Sequence, residues 1–350
     1  MRRTSVLIAL MIVSGLCANR ALAMLQSHTT AAVLIDNTSP QVRLSGTIYV
    51  SQEGAIYAIS GTKVRKLALP SGGDWTQPRV LADGSLLVIR RFDEYSDLYH
   101  VTSTGHVLSR LTSDDQSTTN ATLQLDHWIL WPSVGPDGTD VYFATDAPKP
   151  APNTSFEVDF SLWSAPLGAP FSIGDTGVVG GIRWSVPDVY TGGDIEPVPL
   201  PSGGVLYSSY ANTGKGTVVT VLGLQTGPNS PMQSLTTQQQ DCGAPAVAPD
   251  GVTVAMVCTN SGQSADLEVA TLEGSTLGPL RVLAANCLCN APSWSPTGDN
   301  LLYMNAADPD GTFGLWYIAN AGGLHPSATR RVSNASVDLD ATSAAAWTSR

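Results

Sequence analysis

The chain has 350 residues, with 18 basic and 29 acidic side chains and a formal net charge of −11. Nucleic-acid binding needs grouped lysines and arginines that neutralise phosphates, and no such group occurs after the first few residues. The same negative balance argues against binding to an anionic membrane surface. These features favour a soluble protein with a protein or peptide partner.

The N-terminus has the three parts of a secretory signal peptide. Met1-Arg2-Arg3 is basic, residues 6–17 are apolar, and Ala21-Leu22-Ala23 matches the A-x-A pattern of a cleavage site. The apolar part is too short to cross a bilayer. We predict a signal peptide over residues 1–23 and an extended lead-in over residues 24–45. The mature protein is then secreted, periplasmic or extracellular, and has no membrane span.

From residue 46 onward, one motif organises the chain: a proline followed by a glycine six positions later. It occurs five times, at Pro78…Gly84, Pro132…Gly138, Pro197…Gly203, Pro245…Gly251 and Pro292…Gly298. Each copy predicts an inner strand around the motif proline, a tight turn, a second apolar strand and two further strands. Four antiparallel strands at spacings of 54, 65, 48 and 47 residues have the dimensions of propeller blades.

The C-terminal end of the repeat region supplies the inner strand that the N-terminal end lacks. Residues 46–67 predict three strands with no inner strand before them, while residues 340–349 contain half a motif centred on Trp347. An open ring would leave two unpaired sheet edges. We therefore predict an all-β, six-bladed β-propeller over residues 46–350, closed by the C-terminal strand, which joins the N-terminal blade.

The repeat resembles a known family. The unit Pro-Ser-Trp-Ser-Pro-Thr-Gly at 292–298, and the Leu-Thr pairs that end a fourth strand at Leu111-Thr112 and Leu235-Thr236, are similar to the TolB-type propeller repeat. The same repeat is found in the propeller domains of prolyl oligopeptidases and dipeptidyl peptidases. The prolines of the turn are missing at 81–84 and in the last half-motif, so these two turns depart from the family pattern.

Two long segments separate the second and third motif-containing repeats, at about 146–160 and at 171–193. Surface loops tolerate added length at low cost, so a tolerated insertion is the favoured interpretation. A flap over one face of the ring is the alternative.

The loop before each inner strand carries an acid or an amide, and two of these are followed by tryptophan. In a propeller these loops lie at one mouth of the central channel, so the predicted binding residues are Asp74, Trp75, Asp126, Trp128, Asp194, Asp241, Asn290 and Asp340. An acidic ring would attract a basic partner segment or bind Ca²⁺, which prefers oxygen ligands. The structural alternative is that these side chains cap the turns by accepting backbone N–H groups.

Four cysteines remain in the mature chain, and an even number in a secreted protein favours disulfides. If residues 248–252 form a hairpin with a bulged glycine, Cys242 lies opposite Cys258. The predicted bond is Cys242–Cys258, with Cys287 or Cys289 as competitors in a crossed pairing. A zinc site is the alternative, although C-x-C differs from the usual C-x₂-C spacing.

Catalysis is not expected, because the chain lacks the G-x-S-x-G elbow of an α/β-hydrolase, so no catalytic residue is assigned. We predict a secreted, monomeric, non-catalytic propeller that binds an envelope or extracellular protein or peptide. No cofactor is predicted apart from the calcium alternative. A hydrolase or lyase acting on a glycan or peptide, with channel-mouth carboxylates as acid and base, is the alternative function.

Overall fold

A computed structural model describes residues 44–114, 126–149, 158–174, 176–228, 230–260, 264–308 and 311–349. All of them belong to one compact unit, Leu34–Arg350. Every regular element in these ranges is a strand, so the predicted all-β class is confirmed. Within the same ranges no helix is long and apolar enough to cross a membrane. The predicted signal peptide and nearly all of the lead-in lie outside the described residues.

Four sheets have four antiparallel strands each. The first contains β1 (Thr47–Gln52), β2 (Ala55–Ser60), β3 (Lys63–Lys66) and, from the other end of the chain, β26 (Ala346–Thr348). The second contains β4 (Asp74–Val80), β5 (Leu86–Arg91), β6 (Ser96–Val101) and β7 (Val107–Arg110). The third contains β8 (Ile129–Val134), β9 (Asp140–Thr145), β10 (Ser161–Pro166) and β13 (Ile182–Arg183). The fourth contains β14 (Asp194–Pro199), β15 (Val205–Asn212), β16 (Val218–Gln225) and β17 (Gln233–Ser234).

The last repeats form an eight-stranded sheet. Its members are β18 (Cys242–Val247), β19 (Thr253–Cys258), β20 (Ala265–Glu273), β21 (Thr276–Leu277), β22 (Arg281–Trp294), β23 (Leu301–Ala306), β24 (Phe313–Ile318) and β25 (Arg330–Arg331). Two four-stranded halves of this sheet share the strand β22, and the short β21 pairs only with β20. The first half of β22 pairs with β20 and its second half with β23. One long strand is therefore the outer strand of one half and the inner strand of the next.

The segment 171–193 is more than an inserted loop. Residues 173–178 form a small hairpin of β11 (Ile173–Gly174) and β12 (Gly177–Val178). After it, β13 pairs with β10 and supplies the fourth strand of the third sheet. The sequence pattern missed this strand because only two residues form it. The interpretation of 171–193 as an insertion is therefore corrected for Ile182–Arg183.

Each inner strand carries a β-bulge at the motif proline. The register shifts between Thr76 and Arg79, and at the matching place in β8, β14, β18 and β22. The residue just before the proline has a positive φ in every case: Gln77 (51°), Trp131 (51°), Glu196 (57°), Ala244 (51°) and Ala291 (50°). Proline has no N–H for the ladder, so a bulge is where a strand accommodates it. The bulge also turns the side chain of the preceding residue out of the regular alternation.

The core lies between successive sheets. Tyr49 and Ile56 of the first sheet pack with Trp75 and Leu86 of the second, and Leu206 of the fourth packs with Met256 of the next. Corresponding clusters join the other neighbours. Burial of these faces at about 25 cal/mol per Å² is the main stabilisation of such an assembly.

The inner strands contact one another in chain order. β4 contacts β8, β8 contacts β14, β14 contacts β18 and β18 contacts β22. β26 contacts both β22 and β4, and it pairs with β1 through Ile48↔Trp347. The C-terminal strand thus takes the place in the N-terminal sheet that its half-motif predicts.

Candidate functional site

The inner strands enclose a cavity of about 360 Å³. Residues of β4, β8, β14, β18, β22 and β26 line it, including the bulge residues Trp131, Glu196, Ala244 and Ala291. The lining residues of β4, β8, β14, β18 and β22 lie at the bulge or beyond it, toward the proline–glycine turn, and the C-terminal segment adds Thr342, Ala344, Ala345, Ala346 and Trp347. A cavity of this size lies in the range of small-ligand sites.

Arg79 and Glu196 are the ionisable side chains that line this cavity; its other described walls are proline, alanine, valine, tryptophan, serine and threonine. Burial lowers the pKa of Arg79 to about 10, and the negative charge of Glu196 acts in the opposite direction. Burial likewise raises the pKa of Glu196, against hydrogen bonds from Ser208 and Ala244 and the charge of Arg79. Both side chains are partly exposed and partly desolvated, and partial desolvation strengthens the attraction to a partner of opposite charge.

Arg79 uses only part of its hydrogen-bonding capacity. Its Nη1 donates to the carbonyl oxygens of Pro78 at 3.1 Å and Ala344 at 3.4 Å. Its Nε and Nη2 have no hydrogen-bond acceptor among the described residues, and neither is a fully buried atom. A guanidinium presents five N–H donors in a planar fork that fits a carboxylate. Arg79 therefore has donors available to a ligand in the cavity.

Glu196 divides its carboxylate between a structural bond and the cavity. Oε2 accepts hydrogen bonds from Ser208 Oγ at 2.7 Å and from the Ala244 N–H at 3.1 Å. Oε1 has no donor partner in the described part of the chain, and it is not fully buried. One oxygen therefore joins β14 to β18, while the other is available for binding.

Gln77 occupies the position in β4 that Glu196 occupies in β14, and it shows that the hydrogen bond to the next bulge does not need a charged side chain. Gln77 Oε1 accepts the Trp131 N–H at 2.6 Å, as Glu196 Oε2 accepts the Ala244 N–H on a later strand. The Gln77 N–H in turn donates to Ser343 Oγ at 2.9 Å. A neutral amide therefore makes at one bulge the link that a carboxylate makes at another.

Trp131 occupies the bulge of β8, the strand that contacts both the strand of Arg79 and the strand of Glu196. Its ring packs edge-on against Phe160, with centroids 5.6 Å apart. The indole Nε1 is buried and has no hydrogen-bond partner among the described residues. Trp131 is thus a third polar group of the cavity wall with unused capacity.

None of the eight residues predicted from the sequence lines this cavity. Several lie where strands begin and use their polar atoms locally. Asp241 accepts the Thr220 N–H and the Thr259 hydroxyl, both at 2.7 Å. Asp340 Oδ2 accepts the Thr76 hydroxyl at 2.6 Å, and Asn290 Nδ2 donates to the Ala341 carbonyl at 3.1 Å. These bonds are the kind that the capping alternative predicts.

The remaining predicted residues are mostly enclosed. Asp74 lies 3.6 Å from Arg91 Nη2, and the Asp126 carbonyl accepts Lys149 Nζ. Burial raises the pKa of Asp194, against hydrogen bonds from Ser209 and Ser185. The Trp128 N–H donates to Asp146 Oδ1 at 2.9 Å.

Trp75 is 3% exposed and packs edge-on against Tyr99 in the core, which fits a packing role better than a contact at the channel mouth. For the eight residues as a set, a role in binding stays a prediction.

A buried acidic network near the start of β8 was not predicted. Asp97 accepts Arg110 Nη2 at 2.6 Å and the Asp114 N–H at 2.9 Å. Asp114 is fully buried, and burial followed by the charge of Asp97 raises its pKa to about 8. Asp146 lies 3.1 Å from Lys149 Nζ. Across the described ranges, no group of three or more histidine, cysteine or acidic residues is placed to hold a metal ion.

The cysteines form two disulfides, Cys242–Cys258 and Cys287–Cys289. Cys242 and Cys258 face each other in the β18–β19 register, so the predicted bond is confirmed. The crossed pairing and the zinc alternative are wrong, because the four sulfurs are used within these two pairs.

No protein-family model matches the chain, and no curated protein matches it. Solved structures do. TolB from Acinetobacter baumannii aligns with a TM-score of 0.60 and 16% identity over 87% of this chain and 67% of that one. A putative TolB from Agrobacterium tumefaciens aligns with a TM-score of 0.53 and 13% identity over 83% and 91%.

This chain has a TolB-like β-propeller fold. A protein of unknown function from Bacteroides caccae has a similar structure, with a TM-score of 0.51 and 12% identity over 83% of this chain and 94% of that one. The TolB-type resemblance expected from the motif is thereby confirmed. At such identities the likeness concerns the fold and not the activity.

Proposed function

We propose that this protein is a closed, six-bladed propeller that binds a protein or peptide segment in its central channel and does not catalyse a reaction. Two observations support the ring. The inner strands contact one another from β4 to β22, and β26 contacts both ends of that series. Closure removes the unpaired edges that an open ring would expose.

The cavity between the inner strands carries the binding proposal. It combines apolar walls with a few polar groups that have unused capacity, Arg79, Glu196 and Trp131, which is the composition of a ligand site. Glycosidases need two carboxylates around one bond, whereas a single carboxylate lines the described walls here. The described cavity therefore does not provide the carboxylate pair of a glycosidase, and its composition favours binding.

Secretion of a monomer to the periplasm or the exterior is part of the proposal. The signal-peptide pattern at 1–23 and the two disulfides support it, because disulfides persist in oxidising compartments. The test is size-exclusion chromatography of the mature protein purified from the periplasm and from the medium. A protein found only in the cytoplasm, with free thiols, would contradict the location.

Capture of partners from envelope extract tests the function. Wild-type protein, Arg79→Gln and Glu196→Gln serve as baits, with the exposed Glu273→Gln as a matched control, and bound proteins are identified by mass spectrometry. We expect a partner that wild type and Glu273→Gln retain and both cavity variants lose. Turnover of a glycan or peptide substrate that Glu196→Gln abolishes would favour the enzyme instead.

Calcium binding by the acidic strand starts stays a separate proposal. It rests on the oxygen-rich side chains Asp241, Asn290 and Asp340, and a ligand that binds only the folded state raises the melting temperature. Thermal unfolding with millimolar calcium, compared with magnesium, tests it. No shift with wild type rejects the proposal, and a shift that Asp241→Asn and Asp340→Asn abolish supports it.

A further inference from the structure

We infer that the channel cavity selects peptide ligands that carry a carboxylate and a cationic amine close together, with the carboxylate on Arg79 and the amine on Glu196. The inference rests on the proposed peptide-binding function and adds the chemistry that the ligand must have. It follows from the placement of these two side chains, from their unused atoms and from the residues at equivalent positions.

The bulge itself does not require an arginine at the position of Arg79, whose only hydrogen bonds in the described structure are those of Nη1 to the carbonyl oxygens of Pro78 and Ala344. Arg79 lies two residues after the bulge residue of its strand, and the equivalent residues are Ser133, Val198, Ala246 and Ser293. Those strands form the same bulge with small or aliphatic side chains. Arg79 instead brings a partly desolvated charge whose Nε and Nη2 have no acceptor in the described structure. A carboxylate bound by this fork would satisfy both groups at once.

The bulge of β14 does not require a negative charge at the position of Glu196. The equivalent bulge residues are Gln77, Trp131, Ala244 and Ala291, and none carries a negative charge. Gln77 makes the inter-strand hydrogen bond with a neutral amide. The charge of Glu196 is therefore surplus to its structural role, while Oε1 is available to an ammonium or N–H donor.

The two charges do not cancel each other directly. No ion pair within 4.0 Å joins Arg79 and Glu196, which are both among the described residues. One inner strand, β8, lies between theirs, and all three strands line one cavity. A ligand with one charge would compensate only one of these two partly desolvated side chains and leave the unused atoms of the other without a partner. A ligand with both charges compensates both, and this requirement selects a zwitterionic segment.

The rest of the wall fits a peptide. Pro197, Pro245 and Pro292 offer apolar surface to an aliphatic side chain, and Trp131 adds an aromatic side chain to the same wall. The paired charges can come from the free termini of a short peptide or from neighbouring acidic and basic side chains within a longer chain. Both sources present the same chemistry to the cavity.

Calorimetric titration with matched short peptides tests the inference. The probes are alanyl-leucine, its N-acetyl form, its C-terminal amide, and acetyl-Asp-Ala-Lys-amide, in which side chains carry both charges. Wild type is expected to bind at least one zwitterionic probe with a Kd of about 1 mM or tighter. N-acetylation or amidation should weaken alanyl-leucine about tenfold or more if free termini are the source. Binding of acetyl-Asp-Ala-Lys-amide alone assigns the charges to an internal segment.

Variants of Arg79 and Glu196 identify which side chain binds the carboxylate of the peptide and which binds its amine. In Arg79→Gln, replacing the peptide's carboxylate by an amide should no longer change the affinity. In Glu196→Gln, acetylating the peptide's amine should no longer change the affinity. Arg79→Lys keeps the charge and loses the fork, so it should recover part of the affinity. The exposed Arg65→Gln and Glu273→Gln are controls that should bind as wild type. Circular dichroism of each variant verifies that the sheets are intact.

The results separate the inference from the proposed function. No binding of either zwitterionic probe at about 10 mM, or equal affinity for the free, acetylated and amidated forms, overturns the inference. If an envelope partner is still captured in an Arg79- and Glu196-independent way, the binding function survives without it. If neither peptides nor partners bind, both fail.

Discussion

The two ends of the inner strands use acidic and amide side chains in opposite ways. Asp241 just before β18, Asn290 within β22 and Asp340 before β26 make hydrogen bonds to nearby hydroxyl groups or backbone. At the bulge of β14, Glu196 uses one oxygen for structural hydrogen bonds and keeps the other available, and Arg79, which also has unused donors, lines the same cavity. The type of residue is similar at both places, so unused hydrogen-bonding capacity, and not charge alone, distinguishes the proposed binding residues from structural caps.

The largest expected effect concerns the buried network at the start of β8. The pKa of Asp114 is about 8 in the folded protein and about 3.9 in the unfolded chain, so the folded state binds the proton more tightly. The contribution to stability is therefore present at pH 4 and is lost as the pH rises to about 8. Asp114→Asn mimics the protonated form and should be more stable than wild type at pH 8 by about 2 kcal/mol or more.

Urea unfolding of wild type and Asp114→Asn at pH 5 and pH 8 measures this effect. The two proteins should approach each other in stability at pH 5 and differ at pH 8. A difference that is the same at both pH values would show that Asp114 does not titrate in this range.

A smaller loss of stability is expected on substitution of Asp241, which lies just before β18. Asp241→Ala removes the acceptor of the Thr220 N–H and of the Thr259 hydroxyl. Leaving such groups unpaired should lower the free energy of unfolding by about 2 kcal/mol, without changing ligand affinity in the cavity. Chemical unfolding and peptide titration on one sample measure both. A lost affinity with unchanged stability would instead place binding at the strand starts.

The bulge should respond differently to two substitutions of one residue. Glu196→Ala leaves the Ser208 hydroxyl without its carboxylate acceptor, while the Ala244 N–H keeps Ser208 Oγ as an acceptor at 2.9 Å, and the change should cost about 1 kcal/mol. Glu196→Gln keeps an acceptor, as Gln77 does, and should stay within about 0.5 kcal/mol of wild type. The measurement is the urea midpoint at pH 7. Equal losses for the two variants would show that the charge itself holds the strands together.

Much of the fold is predictable from the proline–glycine motif, because each copy specifies a strand, a turn and a second strand. The same pairing logic gives the Cys242–Cys258 bond and the place of the C-terminal strand. The two-residue strand Ile182–Arg183 is too short to leave a hydrophobic pattern. The bulges leave no glycine signal either, since Gln77, Trp131 and Glu196 adopt positive φ angles.

The candidate site was missed for a related reason. Sequence reasoning selected loops before the inner strands, whereas Arg79 and Glu196 lie within the strands. A usable signal was present, because a proline inside a repeated inner strand has no N–H for the ladder and indicates a bulge. The residue before each motif proline is therefore a candidate for the wall of the cavity. The unused atoms of Arg79 and Glu196 depend on tertiary contacts, and no local pattern predicts them.

The smallest change in stability is expected for Arg79→Gln. Replacement removes two hydrogen bonds to the carbonyl oxygens of Pro78 and Ala344, but it also removes a charge that is costly to desolvate. These opposite effects should leave the free energy of unfolding within about 1 kcal/mol of wild type, while carboxylate binding is lost. Substitution of a binding residue is expected to abolish binding with little change in the free energy of unfolding. Urea unfolding beside calorimetric titration measures the two quantities, and a loss of several kcal/mol would make Arg79 a structural residue of the propeller fold.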